Sequence, residues 1–183
     1  MLRQFSLLLQ SVVLLAGAAH ADEGDSLWSH TYGGIDGEAA HSIIPSGDGG
    51  YLLAGWTASF GAGPSDMWLV KVDAQGDSLW SRTYGGSGNE DVGAIIPSGD
   101  GGFLLAGGTN SFGAGQADMW LLKVNAQGDS LWSHTYGGSQ NDWAYAIIPS
   151  GDGGFLLLGE TYSFSVGDGG VWLMKVDAQG NFL

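Results

Sequence analysis

The sequence predicts an all-β chain made of three copies of one four-stranded antiparallel unit. Three observations carry the prediction. A block spanning 25–76 recurs without insertion at 77–128 and 129–180, so that Trp28 aligns with Trp80 and Trp132, and Trp68 with Trp120 and Trp172. Apolar runs inside each block are six or seven residues long, rich in aromatic and β-branched residues, and bounded by Gly, Asp and Ser, as strands are. No stretch of the block follows a helical period. A strict repeat of this length means that each unit buries its apolar faces against its neighbours, in a stack or a radial array.

Residues 1–21 stand outside the array. Met1-Leu2-Arg3-Gln4 is positively charged, Phe5 to Gly17 is mostly apolar, and Ala19-His20-Ala21 has small-x-small spacing. This is the layout of a secretory signal peptide cleaved after Ala21, which predicts a secreted or periplasmic repeat region over 22–183. The apolar run is shorter than the roughly 20 residues of a membrane span. The chain holds 5 Lys and Arg against 19 Asp and Glu, a formal charge of −14. That balance argues against nucleic acid and anionic membrane surfaces as partners, since both reward Lys and Arg. With no cysteine, thiol catalysis, Fe–S clusters and zinc-thiolate sites are excluded, and core packing alone must hold the fold.

The elements follow in order. A lone outer strand is expected at Asp25–Tyr32, then four strands at Ala40–Pro45, Tyr51–Thr57, Met67–Asp73 and Ser78–Tyr84, and the same four in each later block. Ser46-Gly47-Asp48-Gly49-Gly50 is a glycine hairpin, and Pro45 cannot donate to a ladder, so the strand before it lies at a sheet edge or ends at Pro45. Asp73-Ala74-Gln75-Gly76 reads as a three-residue loop closed by Asp73 and Asp77. That register pairs Val70 with Trp80 and Trp68 with Arg82, laying Arg82 on the Trp68 ring and bringing Trp120 to His134. The Met67–Asp73 strand is apolar on both faces, with Trp68, Val70 and Val72 on one and Met67 and Leu69 on the other. A sheet covered on both sides needs this.

Four antiparallel strands repeated radially are the blades of a β-propeller, whose rings hold four to eight blades. Three are too few. The strand order is three periods in circularly permuted form, so a homodimer would complete a six-bladed ring. Each chain's first strand would then finish the other's last blade.

Trp68 to Trp80, Trp-Leu-Val-Lys-Val-Asp-Ala-Gln-Gly-Asp-Ser-Leu-Trp, resembles the segment joining the two outer strands of quinoprotein-type propeller blades. With Tyr-Gly-Gly and Gly-Asp-Gly-Gly-Tyr/Phe, the whole of 25–183 resembles the repeats of secreted bacterial β-propeller proteins. The resemblance implies the fold and closure by the first strand; it implies no cofactor. Ser46 to Tyr51 is similar to an incomplete Asp-box, a turn also found on sialidase blades.

Strand order puts the two hairpins of each unit on one side and the longer loops on the other. The repeats differ mainly on the longer-loop side, where binding residues usually sit. Glu38, Asp66, Glu90, Asp91, Asp118, Asp142, Trp143 and Tyr145 are the candidate ligand-binding residues there. Glu38, Glu90 and Asp142 are equivalent and could converge on calcium. No Asp-x-Asp-x-Asp-Gly loop supports that, so solvated loop acids and no metal are expected. Lys71, Lys123 and Lys175 recur identically, which reports packing. His30 and His134 share their position with Arg82 and are no metal set. A propeller hydrolase needs an acid/base cluster that breaks the repeat, and His41, Trp56, Trp143 and Glu160, each found in one repeat only, do not make one by spacing. The sequence therefore points to a non-enzymatic binding scaffold for a protein or glycan ligand. The alternatives are a sialidase-like or quinoprotein-like enzyme, a structural adhesive repeat, or part of a longer propeller.

Overall fold

The computed structural model describes residues 28–183; the stretch 1–21 that the sequence reads as a leader, and the first residues of the expected opening strand, lie outside the described residues. The first blade is β1 (Glu38–Pro45), β2 (Tyr51–Thr57), β3 (Asp66–Val72) and β4 (Ser78–Tyr84). The second is β5 (Glu90–Pro97), β6 (Phe103–Thr109), β7 (Asp118–Val124) and β8 (Ser130–Tyr136), and the third is β9 (Asp142–Pro149), β10 (Phe155–Thr161) and β11 (Gly170–Val176). Each sheet is an antiparallel meander in sequence order. The innermost strands β1, β5 and β9 are neighbours, and the three sheets form an open arc.

The expected opening strand is corrected: its described part, residues 28–32, is not a strand of any sheet. Their side chains nonetheless behave as those of an outer strand. Tyr32 donates its hydroxyl to the Gly76 carbonyl at 2.5 Å, as Tyr84 does to Gly128 at 2.6 Å in the next blade. Tyr136 repeats the bond on Gly180. Each outer tyrosine thus ties one unit to the outer turn of the following one.

The register expected across β3 and β4 is also corrected. The loop closes at Asp73 and Asp77, with Asp73 N–H donating to the Asp77 carbonyl at 3.0 Å and Gly76 in the left-handed region at φ 85°. Val72 pairs with Ser78 as that closure requires, but a bulge follows and Lys71 meets Trp80. Val70 therefore faces Ser81, and Trp68 faces Thr83 rather than Arg82. The extra residue is Leu79, and Leu131 takes the same role between β7 and β8, so Trp120 faces Thr135 rather than His134. The Arg82 guanidinium instead lies 5.5 Å from the Trp80 ring centroid on its own strand.

The core lies between blades. Leu52, Ala54, Met67 and Leu69 of the first blade pack on Val92, Ile95, Leu105 and Trp120 of the second. Leu104, Ala106, Met119 and Leu121 pack in the same way on Ala144, Ile147, Leu157 and Met174 of the third. Full burial of one such side chain contributes about 1.5–3 kcal/mol. At both contacts a methionine meets a glycine of the next blade. The Met67 methyl lies 2.9 Å from where a β-carbon on Gly107 would sit, and the Met119 methyl 2.7 Å from that of Gly159.

Candidate functional site

Each innermost strand carries a bulge at the same repeat position. Ala40 pairs with Gly55 and Ser42 with Ala54, which leaves His41 over; Gly93 and Tyr145 are left over in β5 and β9. Bulges re-aim side chains and break pairing, and they are common beside binding sites. Next to each bulge sits one cross-strand pair: Ala39 with Trp56, Asp91 with Gly108, and Trp143 with Glu160. At these three repeat positions no two blades agree, with Ala, Asp and Trp at the first, His, Gly and Tyr at the second, and Trp, Gly and Glu at the third.

The disagreements fit one another. The Trp143 ring covers Gly108 of the neighbouring blade, and a β-carbon there would collide with it. Around it lie two adjoining recesses of about 340 and 280 Å³, with Asp91 and Trp143 lining both. Trp56, Ser65, Asn89 and Glu90 complete the first. His41, Gly93, Ala144 and Tyr145 complete the second. Side chains from all three blades thus meet in one groove.

The groove is acidic and aromatic. His41 Nδ1 lies 3.1 Å from the Val92 carbonyl and 3.2 Å from Asp91 Oδ1. A carbonyl can only accept, so Nδ1 carries the proton that Val92 receives. Asp91 Oδ1 is shut from water and has no hydrogen-bond donor of its own. Burial pushes the Asp91 carboxyl up from its ordinary value, against the opposing pull of His41. Tyr145 donates its hydroxyl to Glu160 Oε1 at 2.6 Å. Burial first, then that bond and the Glu160 charge, push the phenol up to about 12, so it stays a donor.

The acids that recur between repeats have a different place. Glu90 is fully buried and accepts from Thr109 Oγ1 at 2.8 Å, Gly86 N–H at 2.9 Å and Ser111 N–H at 3.2 Å. Asp142 accepts from Gly138 N–H at 3.0 Å, Ser163 Oγ at 2.6 Å and Thr161 Oγ1. Burial raises its carboxyl, but these bonds outweigh it and hold the value below the ordinary range. Glu38 accepts from Thr57 Oγ1 at 2.9 Å. Asp66 caps the loop before β3 by accepting Ala62 and Gly63 N–H groups, both at 3.0 Å, and Asp118 does the same for Ala114 and Gly115 at 2.9 Å. A β-carbon on Gly85 would strike both Asp66 and Glu90, and one on Gly137 both Asp118 and Asp142. Glycine is required where the acids of adjacent blades come together.

Asp91, Trp143 and Tyr145 of the sequence-predicted residues therefore meet in the groove. Glu38, Asp66, Asp118 and Asp142 satisfy loop backbone, and Glu90 does so while flooring one recess. Glu38, Glu90 and Asp142 do not converge: no group of three or more His, Asp or Glu among the described residues is arranged for a metal ion. Sequence reasoning missed His41, Trp56 and Glu160 as members of one site. Their signal was present, since His41 breaks the repeat at the position of Tyr145, and Trp56 and Glu160 break it at the position paired across the strands with that of Asp91 and Trp143. Lys71, Lys123 and Lys175 bond Asp48, Asp100 and Asp152 in the glycine hairpins of their own blades, away from the groove.

No family model matches the chain. Its sequence is similar to the regulatory protein FlaEY of Caulobacter vibrioides, 25% identical over 159 residues. The match covers 74% of this chain and 17% of that protein, so the chain spans about a sixth of the length of the relative it matches.

Proposed function

We propose that the chain is a non-enzymatic extracytoplasmic binding module whose groove takes a cationic group presented by a glycan or a peptide. The observation that carries this reading is the meeting of the repeat-breaking residues, His41, Trp56, Asp91, Trp143, Tyr145 and Glu160, in one groove across three blades. Residues repeated in every blade serve the blade; residues that differ and still converge serve something outside it. The chemistry of the groove selects the ligand. A cation over an aromatic face gains about 0.5–1 kcal/mol when exposed and about 2 or more when desolvated. Here tryptophan rings flank Asp91, whose buried oxygen has no donor. A net charge of −14 adds long-range attraction for cations. The leader, read from sequence, supports a secreted or periplasmic location. The likeness to part of a regulatory protein and the resemblance to quinoprotein-type repeats support the repeat architecture, with the cofactor chemistry of the latter left aside.

Calorimetric titration tests the reading with a glucosamine hexasaccharide and a lysine-rich peptide, each beside its N-acetylated counterpart. The free-amine form of one source binds, and Trp143→Ala weakens it by about tenfold or more, the equivalent of about 1.4 kcal/mol. Binding that survives acetylation or Trp143→Ala unchanged contradicts the reading, as does binding of neither amine.

A further inference from the structure

The first and third blades each leave uncovered the face that the second blade has covered. Leu69 and Leu121 are fully buried, while the equivalent Leu173 is 63% exposed; Met67 and Met119 are fully buried, and the equivalent Val171 is 83% exposed. These residues face the following blade. On the opposite side, Ile95 and Ile147 are almost fully buried against the preceding blade, whereas Ile43 of the first blade is 62% exposed. The two open faces are the two halves of a contact that the chain already makes twice.

The halves match in detail. In both internal contacts a methionine methyl on one blade enters a hollow at a glycine on the next, Met67 at Gly107 and Met119 at Gly159. The equivalent glycine of the first blade, Gly55, lines a recess of about 90 Å³ with Tyr32, Leu53, Trp68 and Val70, and no methionine stands against it. Trp68 also has a buried indole N–H without a hydrogen-bond partner. The side chain at the methionine position of the third blade is the exposed Val171.

Backbone follows the same pattern. β3 and β7 each have an outer strand beside them, β4 and β8. β11 has β10 on one side, and on the other the described structure places a single bridge, Val176 to Phe182. Residues 28–32, Trp-Ser-His-Thr-Tyr, repeat the residues of β8 that follow this bridge position. They already make the outer-strand contact to the first blade through Tyr32.

We infer that a second copy of this chain closes the arc. The first blade of one copy packs on the third blade of the other, and reciprocally. Val171 of each enters the Gly55 recess of its partner, and residues 28–32 of each run beside β11 of its partner as the fourth strand. Two equal contacts related by a twofold axis make a closed assembly of six blades, inside the range of known rings. The inference is independent of the ligand groove.

Light scattering on the purified full chain, with Val171→Asp and Ile43→Asp, tests it. Both side chains are exposed in the single chain, so neither substitution disturbs its fold, and circular dichroism with a retained thermal transition verifies this for each variant. The expected mass is that of two chains. Either carboxylate, buried without a partner at both symmetry-related contacts, raises the dissociation constant by roughly 100-fold, tenfold at each contact. A mass other than that of two chains, or a dimer that survives both substitutions, overturns the inference.

Discussion

Replacing Glu90 by alanine separates a structural acid from a ligand-binding one. The carboxylate is fully buried, and truncation strands three donors, Thr109 Oγ1, Ser111 N–H and Gly86 N–H, at a junction between blades. Each unsatisfied buried donor costs about 1–3 kcal/mol, and water entering the space left behind recovers part of the total. The expected loss is about 3–5 kcal/mol, in the range for breaking a buried polar pair from one side. For a chain of this length that corresponds to a fall in Tm of roughly 6–20 °C. Glu90→Gln keeps the shape but turns one accepting oxygen into a donor, so it loses about 1–3 kcal/mol. Urea titration with a common slope measures both. If Glu90→Ala loses less than about 1 kcal/mol, Glu90 is no brace, and the division between structural acids and groove acids fails.

Three further outcomes follow from named contacts. Met119→Ala empties the hollow at Gly159 and should lose about 2–5 kcal/mol by urea titration, because truncating a fully buried side chain leaves a cavity. Gly159→Ala should also destabilise, since its β-carbon meets the Trp143 carbonyl and the Met119 methyl. In acid, the hydrogen bond from Lys71 holds the Asp48 carboxyl down to about 2, and Lys123 and Lys175 hold Asp100 and Asp152 below the ordinary range. Their folded values lie below the unfolded value of about 3.9, so their contribution is complete above about pH 4 and is lost as pH falls through the folded values. Urea titrations between about pH 5 and pH 2 should show that loss, and changing the three aspartates to asparagine should make the slope shallower.

Much of the fold was legible because the repeat is nearly uniform. β2 and β4 have the expected bounds, and the two-sided apolar pattern of β3 announced a sheet covered on both faces. The bulges were not legible. Leu79 and His41 look like ordinary strand residues, and whether either is extruded depends on twist and on the neighbouring blade. One extruded residue moved Trp80 from Val70 to Lys71. The inward turn of the acids was legible in principle. Glycine-rich loops such as 61–66 carry N–H groups that no ladder satisfies, and the acid beside each of the first two such loops is their acceptor. The argument that made Lys71 structural, that what every blade keeps serves the blade, extends to Glu90, whose equivalents Glu38 and Asp142 are also acids. Its converse identifies the groove.

The eight tryptophans make that converse measurable in one titration. Trp28, Trp80 and Trp132 lie at the outer positions, Trp68, Trp120 and Trp172 on the third strands, and Trp56 and Trp143 line the groove. With indole N–H resonances assigned by substitution, the chain is titrated with the glucosamine hexasaccharide and with the lysine-rich peptide. The signals of Trp56 and Trp143 should shift together and saturate with one affinity while the six repeated indoles stay in place. Shifts confined to the repeated tryptophans, with Trp56 and Trp143 unmoved, would place binding on the uniform surface and contradict the account.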